Sequence, residues 1–176
     1  RGLMSRRFDT GAAPHFPPQT TVSAVMRQVL FALVPAIAAY AWYFGPGILV
    51  QITLAVAFAL AFEAGMLKLR GKPTGLFLGD YSAVLTAVLF ALCIPPLAPW
   101  WIAAVGMFFA IVVAKHLYGG LGHNVFNPAM VGYVVVLVSF PQAMTAWLPP
   151  IPFAEFSPGL GQVLLTIFSG SPPGDV

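Results

Sequence analysis

The stretch KHLYGGLGHNVFNPAM, from Lys115 to Met130, is a polar loop in an otherwise apolar chain. Three of its residues are glycines, Gly119, Gly120 and Gly122. Glycine permits backbone angles that other residues avoid, so a ligand or a second backbone can approach closely. Asn124 and Asn127 each offer an amide donor and an acceptor. Pro128 suits the first turn of a helix, so Asn127 is predicted to cap a helix that starts there.

Two interpretations of this loop remain open from its residue types. It is either a well-capped connection between two helices or a ligand-binding loop in which the asparagines and glycines contact the ligand. In both cases a long apolar helix should end near Lys115, and the next should begin at Pro128.

The composition of the rest of the chain predicts an all-α integral membrane protein. Of the 176 residues, 59% are hydrophobic and 7% are charged, whereas a soluble domain is about 25% charged. The lipid bilayer is therefore an expected partner. The net charge of +3 does not indicate nucleic-acid binding, because eight basic residues form no basic face. The single cysteine, Cys93, cannot hold an iron–sulfur cluster by itself and is expected to be a small packing residue.

Five apolar runs predict five transmembrane helices, at residues 28–44, 48–67, 81–94, 100–114 and 128–148. They divide the chain into a cytoplasmic segment (1–24), a five-helix transmembrane repeat (25–148) and an extracytoplasmic tail (149–176). Asp80 is predicted to cap the third helix, and Pro141 to kink the fifth. The third and fourth runs cover only about 21–22 Å of a roughly 30 Å hydrocarbon layer. They are broken helices around a site at the midplane, helices in a thinned bilayer, or helices whose ends are extended by Leu97, Leu117 and Tyr118.

The basic residues all fall on one predicted side of the membrane. They are Arg1, Arg6, Arg7, Arg27, Lys68, Arg70, Lys72 and Lys115. Cytoplasmic loops carry an excess of Lys and Arg, so this side is predicted to be the cytoplasm. The N-terminus is then cytoplasmic, and the end at Val176 is periplasmic.

Glu63 is a carboxylate within the second apolar run, where burial in lipid is costly. It belongs to an ion or proton path, or it forms a structural pair with Lys115 or Arg27 or extends toward the inner interface; the structural interpretations are favoured. His116 and His123 lie at a helix end or in the loop, which does not favour a bis-histidine haem site. The residue pattern indicates no metal site and no catalytic residue of the chain's own.

Three stretches carry a resemblance to a known family. They are EAGMLKLRGK at 63–72, GDYSAVLTAVLFALCIPPLAPWW at 79–101 and KHLYGGLGHNVFNPAMVGYVVVLVSFP at 115–141. They resemble the D-subunit family of the Rnf electron-transport complexes (RnfD) and, more distantly, the B subunits of the sodium-pumping NADH:quinone reductases. The resemblance runs from about Val25 to Phe168.

This resemblance implies a membrane component of a six-subunit, ion-translocating ferredoxin/NAD oxidoreductase in the bacterial inner membrane. The implied partners are the Rnf subunits A, B, C, E and G, and the implied coupling is to Na⁺ or H⁺ translocation. The implied fold is two inverted five-helix repeats, like those of urea transporters, of which this chain is expected to be the first.

The resemblance also implies two flavins. Riboflavin is expected without a covalent bond near the Asn124–Asn127 loop, with Gly119, Gly120 and Gly122 beside it. FMN is expected on a threonine of an S/T-x-A-T type motif, which does not occur among these residues. That threonine is expected beyond Val176, so no complete active site is expected in this chain alone. The alternative, from the short and Pro-interrupted helices, is a small-solute channel or transporter.

Overall fold

The computed structural model describes residues 21–72, 75, 79–118, 126–154 and 158–170. Regular structure within these ranges is entirely helical. The α-helices are α1 (Val22–Phe44), α2 (Gly47–Leu69), α3 (Ser82–Ala91), α4 (Trp100–Met107), α5 (Pro128–Ser139), α6 (Pro141–Thr145) and α7 (Leu160–Ser169). A π-helical segment, Phe108–Leu117, continues α4 without a break, and a short 3-10 turn covers Ile151–Phe153.

Within the described ranges, three helices are long and apolar enough to cross a bilayer. They are α1 and α2, with 23 residues each, and the continuous helix Trp100–Leu117, with 18. The other two predicted crossings, α3 and α5, contain only 10 and 12 residues. The all-α membrane class is thus confirmed, and every predicted run coincides with a helix, although two of these helices are short.

The third and fifth helices end earlier than predicted. The third was expected to reach Ile94, but α3 ends at Ala91, just before the Pro95–Pro96 pair. Cys93 therefore lies in the following turn and is exposed, so its predicted packing role is wrong.

The fifth helix does not merely kink at Pro141. A proline disfavours α-helical angles in the residue before it, and Phe140 has φ −134° and ψ 57°. As a result α5 ends at Ser139, and α6 starts afresh at Pro141.

Small residues let α3, α4 and α5 pack closely. A Cβ atom on Gly132 of α5 would lie 2.5 Å from the carbonyl oxygen of Gly106 on α4. A Cβ atom on Gly106 would in turn collide with the ring of Phe90 on α3. Such close backbone approach is typical of helix pairs in membranes, because small residues allow van der Waals contact along the crossing. Buried alanines fill much of the remaining core, among them Ala55, Ala59, Ala87 and Ala110.

Contacts between helix ends show that successive long helices run antiparallel. At one end of the bundle, the Tyr40 hydroxyl donates to the carbonyl of Ile94 at 3.3 Å, and Gly47 abuts Pro96. At the other end, the guanidinium of Arg27 lies 6.0 Å from the ring centre of Tyr81. The described basic side chains belong to this second end, which also contains the candidate site.

Helix α1 lies at the periphery of the bundle and contributes no buried residue. It contacts α2 and α3, and an aromatic cluster forms at its C-terminal end. There Trp147 lies with its ring centre 6.3 Å from Tyr40 and 6.2 Å from Phe44. Helix α7 instead packs against α2, and its buried residues are Val163 and Ile167.

Candidate functional site: a buried charge cluster beside the polar loop

Glu63 of α2 forms a buried ion pair with Lys115. Its carboxylate oxygen Oε1 lies 2.9 Å from Lys115 Nζ, and the two side chains are 2% and 6% exposed. The favoured interpretation of Glu63, a structural pair, is therefore confirmed with Lys115 as the partner. Arg27, the other predicted partner, instead donates to the carbonyl of Ser23 and lies over Tyr81.

The π-helical segment brings two consecutive residues to the same carboxylate. Lys115 contacts Oε1 of Glu63, and Nε2 of His116 lies 3.1 Å from Oε2. A π-helix has a wider turn than an α-helix, and such segments occur frequently at functional sites. The hydrogen bond typical of a π-helix joins residues five apart, and here the backbone N–H of Tyr118 donates to the carbonyl of Val113. Glu63, Lys115 and His116 thus form a charge cluster, and its two π-helical residues lie immediately before the Gly- and Asn-rich loop.

Ser82 and Asp80 extend the cluster toward α3. Lys115 Nζ donates to Ser82 Oγ at 2.8 Å, and Ser82 Oγ donates to Asp80 Oδ1 at 2.6 Å. The same carboxylate oxygen accepts the backbone N–H of Ser82 at 2.8 Å. The residue at the N-cap position of α3 is Tyr81 and not the predicted Asp80, whose carboxylate still accepts a backbone N–H at the helix start. Tyr81 has a left-handed backbone (φ 60°), which is uncommon outside glycine.

Two atoms of the cluster face one another without a hydrogen bond. Glu63 Oε2 and His116 Nε2 are both buried, and neither has a hydrogen-bond partner among the described residues. Their separation of 3.1 Å is short enough for a hydrogen bond, but the two groups are not oriented as a hydrogen bond requires. Buried polar atoms without partners are rare in folded proteins, so this pair requires an explanation.

Asn127 is the one predicted flavin-binding residue among those described. Its side-chain Oδ1 accepts the N–H of Ala129 at 2.9 Å, which confirms that it caps α5. The residue is exposed, and its amide NH₂ makes no hydrogen bond to the described part of the chain. Gly119, Gly120, Gly122, Asn124 and His123 lie outside the described residues.

The sequence pattern did not single out Ser82. It lies two residues after Asp80, and this Asp-x-Ser spacing at a helix start is a common local hydrogen-bonding pattern. Its contact with Lys115, 33 residues away, has no comparable local signal. Across the ranges that the structure describes, no group of three or more His, Cys, Asp or Glu side chains could hold a metal ion.

Comparison with known proteins places the chain in a family. Residues 9–173 match the model of the NQR2, RnfD, RnfE family. The chain is 52% identical to the D subunit of the ion-translocating oxidoreductase complex of Escherichia fergusonii and 48% identical to that of Actinobacillus succinogenes. Each comparison covers 93% of this chain and 46% of the relative.

The corresponding protein of Citrobacter koseri is also 52% identical, with 93% of this chain and 47% of the relative covered. The chain thus spans about half the length of the curated relatives that it matches. Because the family match covers nearly all of its residues, the chain belongs to the NQR2, RnfD, RnfE family.

Proposed function

We propose that this chain is part of a membrane subunit of an ion-translocating oxidoreductase complex, and that this subunit carries flavin. The observation that supports this most strongly is the 48–52% identity, over 93% of the chain, to proteins named as the D subunit of such complexes. The proposed partners are the complex's subunits A, B, C, E and G. Electron transfer through the complex is proposed to be coupled to Na⁺ or H⁺ translocation across the bacterial inner membrane.

The exposed amide of Asn127 fits a flavin as far as the described residues allow. Capping of α5 uses its Oδ1, which leaves two N–H donors for a ligand. A flavin ring edge offers carbonyl and ring-nitrogen acceptors for such donors. Riboflavin is therefore proposed at this loop, between Asn127 and Asn124, with Gly119, Gly120 and Gly122 allowing close backbone approach. The FMN is proposed on a threonine beyond Val176.

The flavin supplies the electron-transfer chemistry when bound, and the protein supplies binding and orientation. In this proposal Asn127 has two separate tasks, because its oxygen holds the helix while its NH₂ holds the ligand. These tasks can be separated by substitution. Aspartate caps a helix as well as asparagine does, but its side chain has no N–H to donate when ionised.

Asn127→Asp in the full-length protein, within its complex, is expected to preserve thermal stability and weaken flavin binding. An acceptor left unpaired in a dry pocket costs about 1–3 kcal/mol, which is about 5- to 150-fold in affinity. The measurement is non-covalent flavin content after gel filtration, alongside the melting temperature. Asn127→Leu is the comparison variant, since it should lower both the flavin content and the melting temperature. Full flavin occupancy in a folded Asn124→Leu, Asn127→Leu double variant would exclude this binding site.

A small-solute channel or transporter is the second candidate. Short α3 and the break between α5 and α6 favour it, because interrupted helices surround substrate sites in many transporters. The same flavin measurement separates the two candidates. A purified wild-type complex without flavin absorption favours the channel, whereas stoichiometric flavin favours the electron-transfer function.

The proposed orientation places the charge cluster near the cytoplasm. Labelling of single cysteines in sealed vesicles tests it, in a Cys93→Ser background because native Cys93 is exposed. Arg70→Cys, at the end of α2, is expected to react only with a reagent on the cytoplasmic side. Ser171→Cys, on the tail, should react only from the opposite side. Labelling of both variants from the same side would contradict this topology.

A further inference from the structure

A groove between α2 and α7 is lined by apolar side chains and encloses about 480 Å³. Its α7 wall consists of Leu160, Leu164 and Phe168, which are spaced four residues apart and therefore form one stripe along the helix. All three side chains are exposed, so the groove opens to the outside of the bundle. The inner face of α7 contributes the buried side chains of Val163 and Ile167. Next to them lies a space that the described residues leave unfilled.

The α2 wall of the groove belongs to the first turns of that helix and includes Leu49, Val50 and Leu54. Among the described side chains that line the groove, only Thr53 is polar. Its hydroxyl donates to the carbonyl of Leu49 at 2.8 Å, so its donor is already used. A polar ligand would find little to bond to in this groove, and burying polar groups without hydrogen bonds is unfavourable. The groove therefore suits a ligand portion that has no polar atoms.

The course of α2 places the groove within one leaflet of the bilayer. Helix α2 begins at Gly47 and is long and apolar enough to cross the membrane. Leu54 follows after about 10 Å of helix, which is less than half of the roughly 30 Å hydrocarbon layer. At this depth the outer surface of α2 meets lipid acyl chains, and the exposed Leu49 joins that surface to the groove. In the orientation proposed above, this is the periplasmic leaflet.

The volume of the groove excludes a helix as its occupant. A helix about 10 Å across occupies roughly 800 Å³ over a length of about 10 Å, which exceeds the volume of the groove. A single hydrocarbon chain is much thinner and can bend to follow the two walls. Within lipid there is no hydrophobic gain from binding such a chain, so the attraction is van der Waals contact. A groove provides that contact from two walls, whereas a flat helix surface provides it from one.

We propose that this groove binds one acyl chain of a membrane phospholipid, which fills the space between α2 and α7 and so holds α7 against the bundle. The recognised chemistry is the hydrocarbon chain. The headgroup lies at the membrane surface beyond Pro46, the lining residue that precedes the start of α2. This site requires neither flavin nor electron transfer, so it can fail without affecting the proposed function, and the reverse also holds.

Photo-crosslinking to a lipid tests this proposal in the full-length protein, assembled in its complex. The vesicles consist of phosphatidylethanolamine and phosphatidylglycerol, with a trace of phosphatidylcholine that carries a diazirine in one acyl chain. Mass spectrometry after illumination measures the labelled fraction of each peptide. In the wild type, label is expected on the peptides of α2 and α7 that line the groove.

Leu164→Trp fills the groove and is expected to lower this labelling at least about threefold, the effect of losing a modest number of van der Waals contacts. Leu165→Trp is the matched control, because Leu165 is also exposed on α7 but does not line the groove. Labelling in this control should equal that of the wild type.

Val50→Phe fills the groove from the α2 side and provides a second measurement if Leu164→Trp does not fold. Its control is Val34→Phe, because Val34 is exposed on α1 and does not line the groove. Labelling that is unchanged in whichever filling variant folds would overturn the proposal and leave only bulk lipid at this surface. Label on the outer face of α1 without label in the groove would also overturn it, since another part of the complex would then cover the groove.

Discussion

Lys115→Met is expected to destabilise the full-length protein by about 3–5 kcal/mol, the cost of removing one partner from a buried ion pair. The substitution leaves the carboxylate of Glu63 buried, and it also removes the donor to Ser82 Oγ. Methionine approximates the length of the lysine stem, so packing changes little. The measurement is reversible unfolding of the detergent-solubilised protein, with the wild type under identical conditions.

Lys68→Met is the matched control for this effect, because Lys68 is exposed at the end of α2. It should change the free energy of unfolding by less than about 0.5 kcal/mol. The double variant Glu63→Gln, Lys115→Met should lose less unfolding free energy than the two single variants lose together, since no buried charge is left without a partner. Equal effects of Lys68→Met and Lys115→Met would refute a buried pair at this position.

Gly132→Val is expected to disrupt the crossing of α4 and α5. A Cβ atom at this position would lie 2.5 Å from the backbone oxygen of Gly106, and a backbone atom cannot move aside as a flexible side chain can. Overpacking of this kind costs about 1–3 kcal/mol, occasionally more. We expect a loss near the upper end of this range, seen as a lower melting temperature and less folded protein in membranes.

Gly65→Val is the corresponding control, because a Cβ atom at Gly65 would meet nothing within 4 Å. Valine and glycine differ little in helix propensity, so this variant should be close to neutral. If Gly65→Val and Gly132→Val lowered stability equally, the effect would come from valine in a helix rather than from close packing.

Features of the fold that depend on composition were predictable from the sequence. The apolar runs located the helices, and Pro141 marked an interruption that was predicted as a kink, because both signals act locally. The pairing of Glu63 with Lys115 was also among the predicted alternatives, since a carboxylate in an apolar run requires a partner and few were available. Asn127 as the cap of α5 followed from the Pro128 beside it.

Features that depend on relative helix position could not be read from the sequence. The first seven residues of the π-helical segment, 108–114, are an apolar run without Gly or Pro, and nothing in the segment's sequence distinguishes a π-helix from an α-helix. Gln51 was not singled out either, although it is fully buried and donates to the carbonyl of Ala98. Such contacts join residues far apart in the chain, so only the packed helices reveal them. The flavin-binding role of the Gly- and Asn-rich loop stays a prediction.

The peripheral position of α1 has a consequence for biogenesis. A largely apolar helix of 23 residues that buries none of them within the bundle needs no neighbour to be stable in lipid. It emerges from the ribosome before α2, so it can enter the membrane while its later neighbours are still unsynthesised. The 10 and 12 residues of α3 and α5 are too few to cross alone. Their stable insertion must therefore await the longer helices, which makes assembly of this region sequential rather than concerted.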